Sequence, residues 1–475
     1  MKQKSVLLVL TSTWLVGIIY LAYFVSREDT PTLLFIYSLA FLAYLGCYRL
    51  ANKPQLVRYL LIAAVVARAA LLPMMPNLSD DIYRFVWDGR LLVQGYDPFA
   101  YLPSEIMRGA GNVEAKGIDE DLFGQLNSPD YYTIYPPVNQ TVFALAAWLS
   151  PTSVYGSAVV IRLVIFVAEL ITLWLLTRLL NIEYRARNSE YRGKKSISSF
   201  IIHYSLFNIY SDQNNTTHPP PPRRTLLYAL NPLVIVELTG NLHFEALMIT
   251  FVLASVYLLR QPKPVGSGVA MALAVCTKLV PLILLPLLLQ RLGRKKALLF
   301  YAVVGITTAV LFFPLVTPEL IAGMQDSIGL YFQKFEFNAS IYYLVRAYGF
   351  YWKGYNIIAQ AGRWLAISTF IGIVLYALLE RNHYLPAAFG GAWLIFLLLS
   401  TTVHPWYVIP LLAFTVFTPY RYAVLWSGLA FFSYAGYTTT GFSENLWITF
   451  IEYAAVLGLL GYELVRIIRQ KQPTW

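Results

Sequence analysis

Apolar runs separated by short polar breaks fill almost the whole chain. Runs at 5–25, 32–48, 57–74 and 158–180 are each long enough to span a bilayer as a helix. Shorter ones follow at 225–239, 243–260, 265–277, 279–291, 297–316, 362–380, 384–402, 404–419, 422–437 and 446–468. Several fall below the usual spanning length, so the pattern predicts helices kinked or broken at Pro232, Pro281, Pro286 and Pro405. The short run 138–150 reads as a half-helix or re-entrant element. Together these predict an all-α polytopic membrane protein with about 12–14 transmembrane helices. No direct or inverted internal repeat is visible.

The polar stretches divide the chain. Residues 1–74 are N-terminal spans, and 75–137 form a hydrophilic loop too long for a plain connector. Inside that loop Ile82, Phe85, Val86, Leu92 and Val93 recur at helical spacing, predicting an amphipathic helix lying on the membrane over about 82–94. Residues 138–181 cross once. Residues 182–224 form a polar insert with Arg185, Arg187, Arg192, Lys194, Lys195, Arg223 and Arg224 and a His218–Pro222 tract, read as a disordered loop. The region 225–470 is again membrane-spanning, with an outer loop at 317–361.

Charge sets the orientation. Lys and Arg concentrate in cytoplasmic loops, which puts Lys2, Lys4, Arg49, Lys53, Arg58 and the polar insert inside. The junctions Arg260/Lys263, Arg291–Lys296, Arg381 and Arg421 and the terminal Arg466, Arg469 and Lys471 follow the same rule. The N-terminal run lacks an A-x-A site and reads as an uncleaved first helix. The unusual polar residues then all face outward: Asp80, Asp81, the Tyr135-Pro136-Pro137 turn, Glu237, His243, Glu245, Lys278, Glu336, Asn338, Arg346 and His404. They come from separate loops, so the topology predicts a single site on one side.

Composition agrees with the class. Of 475 residues, 57% are hydrophobic and 13% charged, against about 25% charged in soluble domains. The net charge of +11 is scattered between apolar spans rather than gathered in a basic stripe, which argues against a nucleic-acid partner. Cys47 and Cys276 lie in apolar runs and suggest neither disulfides nor a metal centre. The five histidines (His203, His218, His243, His383, His404) are dispersed. No P-loop, GxSxG or strand-borne GxGxxG is present.

The stretch NLSDDIYRFVWDGRLLVQGYDPF, residues 77–99, concentrates charge beside a membrane helix, where charge is costly and marks function. Asp80 or Asp81 suits a general base acting on a hydroxyl; the alternative is that they cap the helix starting near Ile82, for which Ser79 or Asp80 suits best. Arg84 and Asp88 stand four apart and form a helical ion pair, while Arg84 or Arg90 could instead clamp a phosphate. Lys278 interrupts an apolar stretch and must snorkel or meet an anion such as a lipid-linked phosphate. His243 and Glu245 are two apart, so they do not share a helical face; they suit hydrogen bonding to hydroxyls or phosphate better than a metal. His404 reads equally as a satisfied helix-start residue or a substrate contact. Glu336 and Asn338, flanked by Phe335 and Phe337, suit a sugar.

SDDIYRFVWDGRLLVQGYDPFAY followed by TIYPPVNQ resembles the first outer loop of GT-C superfamily glycosyltransferases. The closest resemblance is to bacterial polyprenol-phosphate-mannose-dependent mannosyltransferases, with a fainter one to the catalytic subunit of GPI mannosyltransferase I. NPLVIVELTGNLHFEAL, TKLVPLILLPLLL, FEFNASIYYLVR and HPWYVIPLL continue it over roughly 57–420. The resemblance implies a GT-C-like bundle with an outer catalytic loop. It implies a polyprenyl-phosphate-linked sugar donor, mannose first, and a glycan, glycolipid or protein acceptor. Asp80 or Asp81 would be the base of an inverting transfer, with Lys278, and Arg84 or Arg90, on the donor phosphate. Asp88, Tyr135, His243, Glu245, Glu336, Asn338, Arg346 and His404 would line the substrate site. No metal ligands are assigned; DD in place of a DxD form leaves a divalent cation open. The implied location is a bacterial inner membrane with the site facing outward. A lipid-linked sugar flippase is the alternative, disfavoured by the missing repeat; a scaffold would leave the acidic pair and Lys278 unexplained.

Overall fold

The computed structural model describes residues 2–194, 221–323, 335–380, 384–439 and 441–470. Lys195, His203, the start of the His218–Pro222 tract, Arg381, His383 and Lys471 lie outside the described residues. The described chain is helical apart from a two-residue hairpin, in which Tyr437–Thr438 pairs with Gly441–Phe442, and an isolated bridge between Phe337 and Thr402.

Six described helices are individually long and apolar enough to cross a membrane, and a bent pair brings the number to seven. The helices Pro264–Val275, Leu385–Leu399 and Pro405–Thr415 are apolar but shorter. Even with the bent pair and these three shorter helices counted as spans, the described residues supply ten, below the 12–14 crossings expected from hydropathy. The breaks fall where proline removes a backbone donor. Pro232 opens one short helix, Pro286 opens another, and Pro281 and Pro405 lie in single 3-10 turns.

Helix Val154–Lys194 runs through residues 182–194, the first part of the stretch read from sequence as a loop. Its inner face carries Arg162 and Glu169, both fully buried. Glu169 Oε2 accepts from Arg68 Nε at 2.7 Å, and Glu169 Oε1 accepts from the Tyr228 hydroxyl at 2.7 Å. Arg68 also donates to the carbonyls of Ala64 and Ala229. Arg162 donates to the carbonyls of Leu72, Met74, Thr239 and Gly240. It thus ties the chain just before the acidic loop to the end of the Ile235–Gly240 turn, a single π-helical stretch.

The amphipathic helix of the loop is Asp81–Val93. Its environment differs from the sequence expectation. Ile82, Phe85 and Leu91 are buried, but so are Arg84, Asp88 and Arg90. The charged face is covered by protein because helix Pro137–Leu149 packs along it and the following loop folds back over it. At 13 residues, Pro137–Leu149 is about 20 Å long, well short of a hydrocarbon core about 30 Å thick. The closest approach of the two helices is at Gly89, where an added Cβ would stand 2.3 Å from the Phe143 carbonyl oxygen. Gly89→Ala must push backbone apart, so a loss of about 2 kcal/mol or more is expected in detergent unfolding; an unchanged midpoint would contradict this packing.

Candidate active site

Asp80 and Asp81 open helix Asp81–Val93, yet neither side chain caps it. Asp80 Oδ2 instead accepts from Arg27 Nη2 at 2.9 Å, and Asp81 Oδ1 accepts from Asn127 Nδ2 at 2.9 Å. Both carboxylates are only partly covered. The cap reading of the acidic pair therefore loses its physical basis.

One turn into the helix, Phe85 anchors an aromatic cluster. Its ring stacks on Phe143 at 4.6 Å and meets Tyr135 and Phe244 edge-on at 5.1 and 5.5 Å. This joins the acidic loop to the turn at Tyr135 and to the 110° bend between Pro232–Gly240 and Glu245–Arg260. Val138 N donates to the Cys276 carbonyl at 3.0 Å, which brings the Lys278 segment to the same place. Tyr135 lies within electrostatic reach of both Asp81 and Glu245; burial above all, then these charges, holds its phenol well above the ordinary range, so it stays a neutral donor.

At the bend, Glu237 is fully buried. It accepts from Tyr434 at 2.9 Å and Asn241 at 3.0 Å, and His243 Nε2 lies 3.2 Å from its Oε2. The His243 ring stacks on Trp406 at 3.8 Å, and the His404 ring also stacks on Trp406, at 4.4 Å, and meets Phe337 in a tilted contact at 4.6 Å. Lys278 pairs with Glu245 and lies 5.4 Å from the Tyr407 ring centroid. Glu245 Oε2 is buried and makes no hydrogen bond.

Two groups of sequence candidates sit beside this centre. Asp88 accepts from Arg84 Nε at 2.9 Å and from Gln140 at 3.1 Å, and also from Thr133; Arg84 Nη1 reaches the Tyr131 carbonyl at 2.8 Å. Arg90 donates to the Gly117 carbonyl at 2.6 Å. These side chains hold the loop together; Arg84 and Asp88 form the ion pair that their spacing suggested, and Arg90 is engaged by a backbone carbonyl. Glu336 binds Arg346, Tyr342 and Asn356. Asn338 is fully buried, at φ 44°, and its Nδ2 donates to Glu452 at 3.1 Å. The FEFN segment reaches the centre through Phe337, whose backbone pairs with Thr401 and Val403 beside His404.

Sequence reasoning missed Arg27, Trp406, Tyr434, Tyr437 and Glu452. Arg27 carried a usable signal: an arginine just past the first apolar run, three residues after the end of helix Lys2–Phe24. Among the described residues, no group of three or more His, Cys, Asp or Glu is arranged to hold a metal ion.

The fold and this centre define an α-helical integral membrane protein whose interhelical site gathers carboxylates, cations and aromatic rings. Residues 215–293 match the family model described as alpha-(1->6)-mannopyranosyltransferase, N-terminal domain. That stretch carries Glu237, His243, Glu245 and Lys278, and the match bears out the resemblance to GT-C-type mannosyltransferases. It supports a glycosyltransferase that transfers mannose. No curated protein matches the chain significantly.

Proposed function

We propose that the protein transfers mannose from a polyprenyl phosphate to a hydroxyl acceptor on the outer side of a bacterial inner membrane. The carrying observation is the pair Asp80 and Asp81, uncommitted as caps, partly accessible and set by the Phe85–Tyr135 and Phe85–Phe244 ring contacts near the bend that carries Glu245, the partner of Lys278. One aspartate takes the acceptor's hydroxyl proton. The acceptor oxygen bonds to the sugar's anomeric carbon as the bond from that carbon to the phosphate oxygen breaks. The polyprenyl phosphate leaves with the electron pair, and Lys278 offsets the charge that grows on it. Residues 75–137 then act as the catalytic loop, 317–361 as a second outer loop, and 182–224 as a cytoplasmic insert.

His243, Glu237 and His404 suit hydrogen bonding to the sugar, with Tyr135 as a neutral donor. Attack from the face opposite the phosphate inverts the anomeric centre. An α-linked product, as the matched family's description has it, then requires a β-linked donor. The test supplies purified protein in bilayers with β-mannosyl polyprenyl phosphate or a nucleotide-linked mannose and analyses the product by NMR. An α-mannoside formed from the lipid donor alone is expected. A β-linked product would overturn inversion, and transfer from the nucleotide donor would overturn the donor class.

A further inference from the structure

Two cations at the site each rest on a carboxylate. Lys278 Nζ pairs with Glu245 Oε1, and Arg27 Nη2 pairs with Asp80 Oδ2 at 2.9 Å. Arg84 and Arg90 differ, because backbone carbonyls and the buried Asp88 engage them. The Arg27 and Asp80 side chains are 23% and 42% exposed, so a solute can reach the pair. Burial disfavours the Arg27 charge, and Asp80, with smaller help from Tyr437 and Glu28, more than offsets this, holding its pKa above the ordinary value. Arg27 Nε lies 3.7 Å from Glu28 and makes no hydrogen bond, which leaves donor capacity on the guanidinium. The Tyr437 ring, 4.7 Å away, supports the guanidinium from one side.

We infer that Arg27 is a ligand for the donor's phosphate, and that Asp80 holds Arg27 in place until that phosphate arrives. This deepens the polyprenyl-phosphate reading and rests on it. A guanidinium exchanges a carboxylate for a phosphate with the same paired geometry. The exchange also leaves Asp80 without its cation once donor is bound, so a carboxylate becomes available when there is a sugar to transfer. Lys278 supplies the second positive charge, from the segment that Val138 anchors to the acidic loop's side of the site.

The test measures binding of polyprenyl phosphate to the full chain in neutral phosphatidylcholine nanodiscs. Arg27→Gln is expected to weaken binding about tenfold or more, the loss of one charge-assisted contact. Arg27→Lys should recover part of it. Asp80→Asn should tighten binding, because it removes the competing carboxylate while abolishing or slowing transfer. An Asp80→Asn variant that binds as weakly as Arg27→Gln would overturn the inference and make the pair a structural latch. Unchanged binding in Arg27→Gln would overturn it as well. Inorganic phosphate competing in wild type but not in Arg27→Gln supports phosphate recognition; phosphatidylglycerol binding with the same Arg27 dependence assigns the site to bulk lipid and overturns it. A wild type that binds polyprenyl phosphate through Arg27 yet transfers no mannose would sink the proposed function and leave this inference standing.

Discussion

Replacing both Asp80 and Asp81 with Asn should lower kcat for mannose transfer by at least about a hundredfold, with the protein still folded. General-base catalysis contributes about 10²–10⁴. Asn keeps the shape of the side chain and can still meet Asn127, so the loop geometry survives. It cannot accept the proton. The structure allows this test to be clean because neither side chain caps helix Asp81–Val93. The single variants then separate the roles. The base will show the full loss at saturating donor and acceptor. The other aspartate will show a smaller loss. Rates measured at saturating substrate, with unfolding midpoints alongside, check this. A double variant within a few-fold of wild type would remove the acidic pair from the reaction.

The second large effect concerns stability. Arg68→Met should destabilise the protein by about 3–5 kcal/mol, because it leaves Glu169 as an uncompensated charge in the interior. Both partners are fully buried, and Tyr228 and two carbonyls complete the network. Against a typical total stability of about 5–15 kcal/mol, such a loss is severe. The double variant Arg68→Met with Glu169→Leu removes both charges together. It should recover a large part of the loss, since a well-packed apolar pair often matches a buried ion pair. Denaturation in detergent of the two variants decides between this and a simple packing loss, which the double variant would deepen instead.

Hydropathy made the membrane class readable because apolar length is a one-dimensional property. The bend at Asn241–Phe244 was readable for a related reason: a polar NLH segment interrupts two apolar runs, and the chain does turn there by 110°. The i,i+4 pair of Arg84 and Asp88 followed from helical spacing alone. What spacing could not supply was the third dimension. Helix Asp81–Val93 has an amphipathic pattern, and a pattern does not say whether its polar face meets water or protein. Here Thr133, Gln140 and the Tyr131 and Gly117 carbonyls meet it. The partner of Asp80 lies 53 residues upstream, and Trp406 meets His243 from a helix start more than 150 residues away. Asn338 shows the same limit: its flanking aromatics suggest a sugar contact, and nothing in the spacing foretells that its side-chain amide donates to Glu452 of the C-terminal helix.

Proteoliposomes holding the purified protein, a labelled mannosyl polyprenyl phosphate and a soluble acceptor would test the central claim most directly. The quantity to measure is labelled mannoside formed on the acceptor, set against labelled donor moved across the bilayer. The expected result is glycoside formation matched by release of polyprenyl phosphate, lost in the Asp80→Asn, Asp81→Asn variant. Donor crossing the bilayer with its sugar still attached, and no glycoside in either protein, would contradict it.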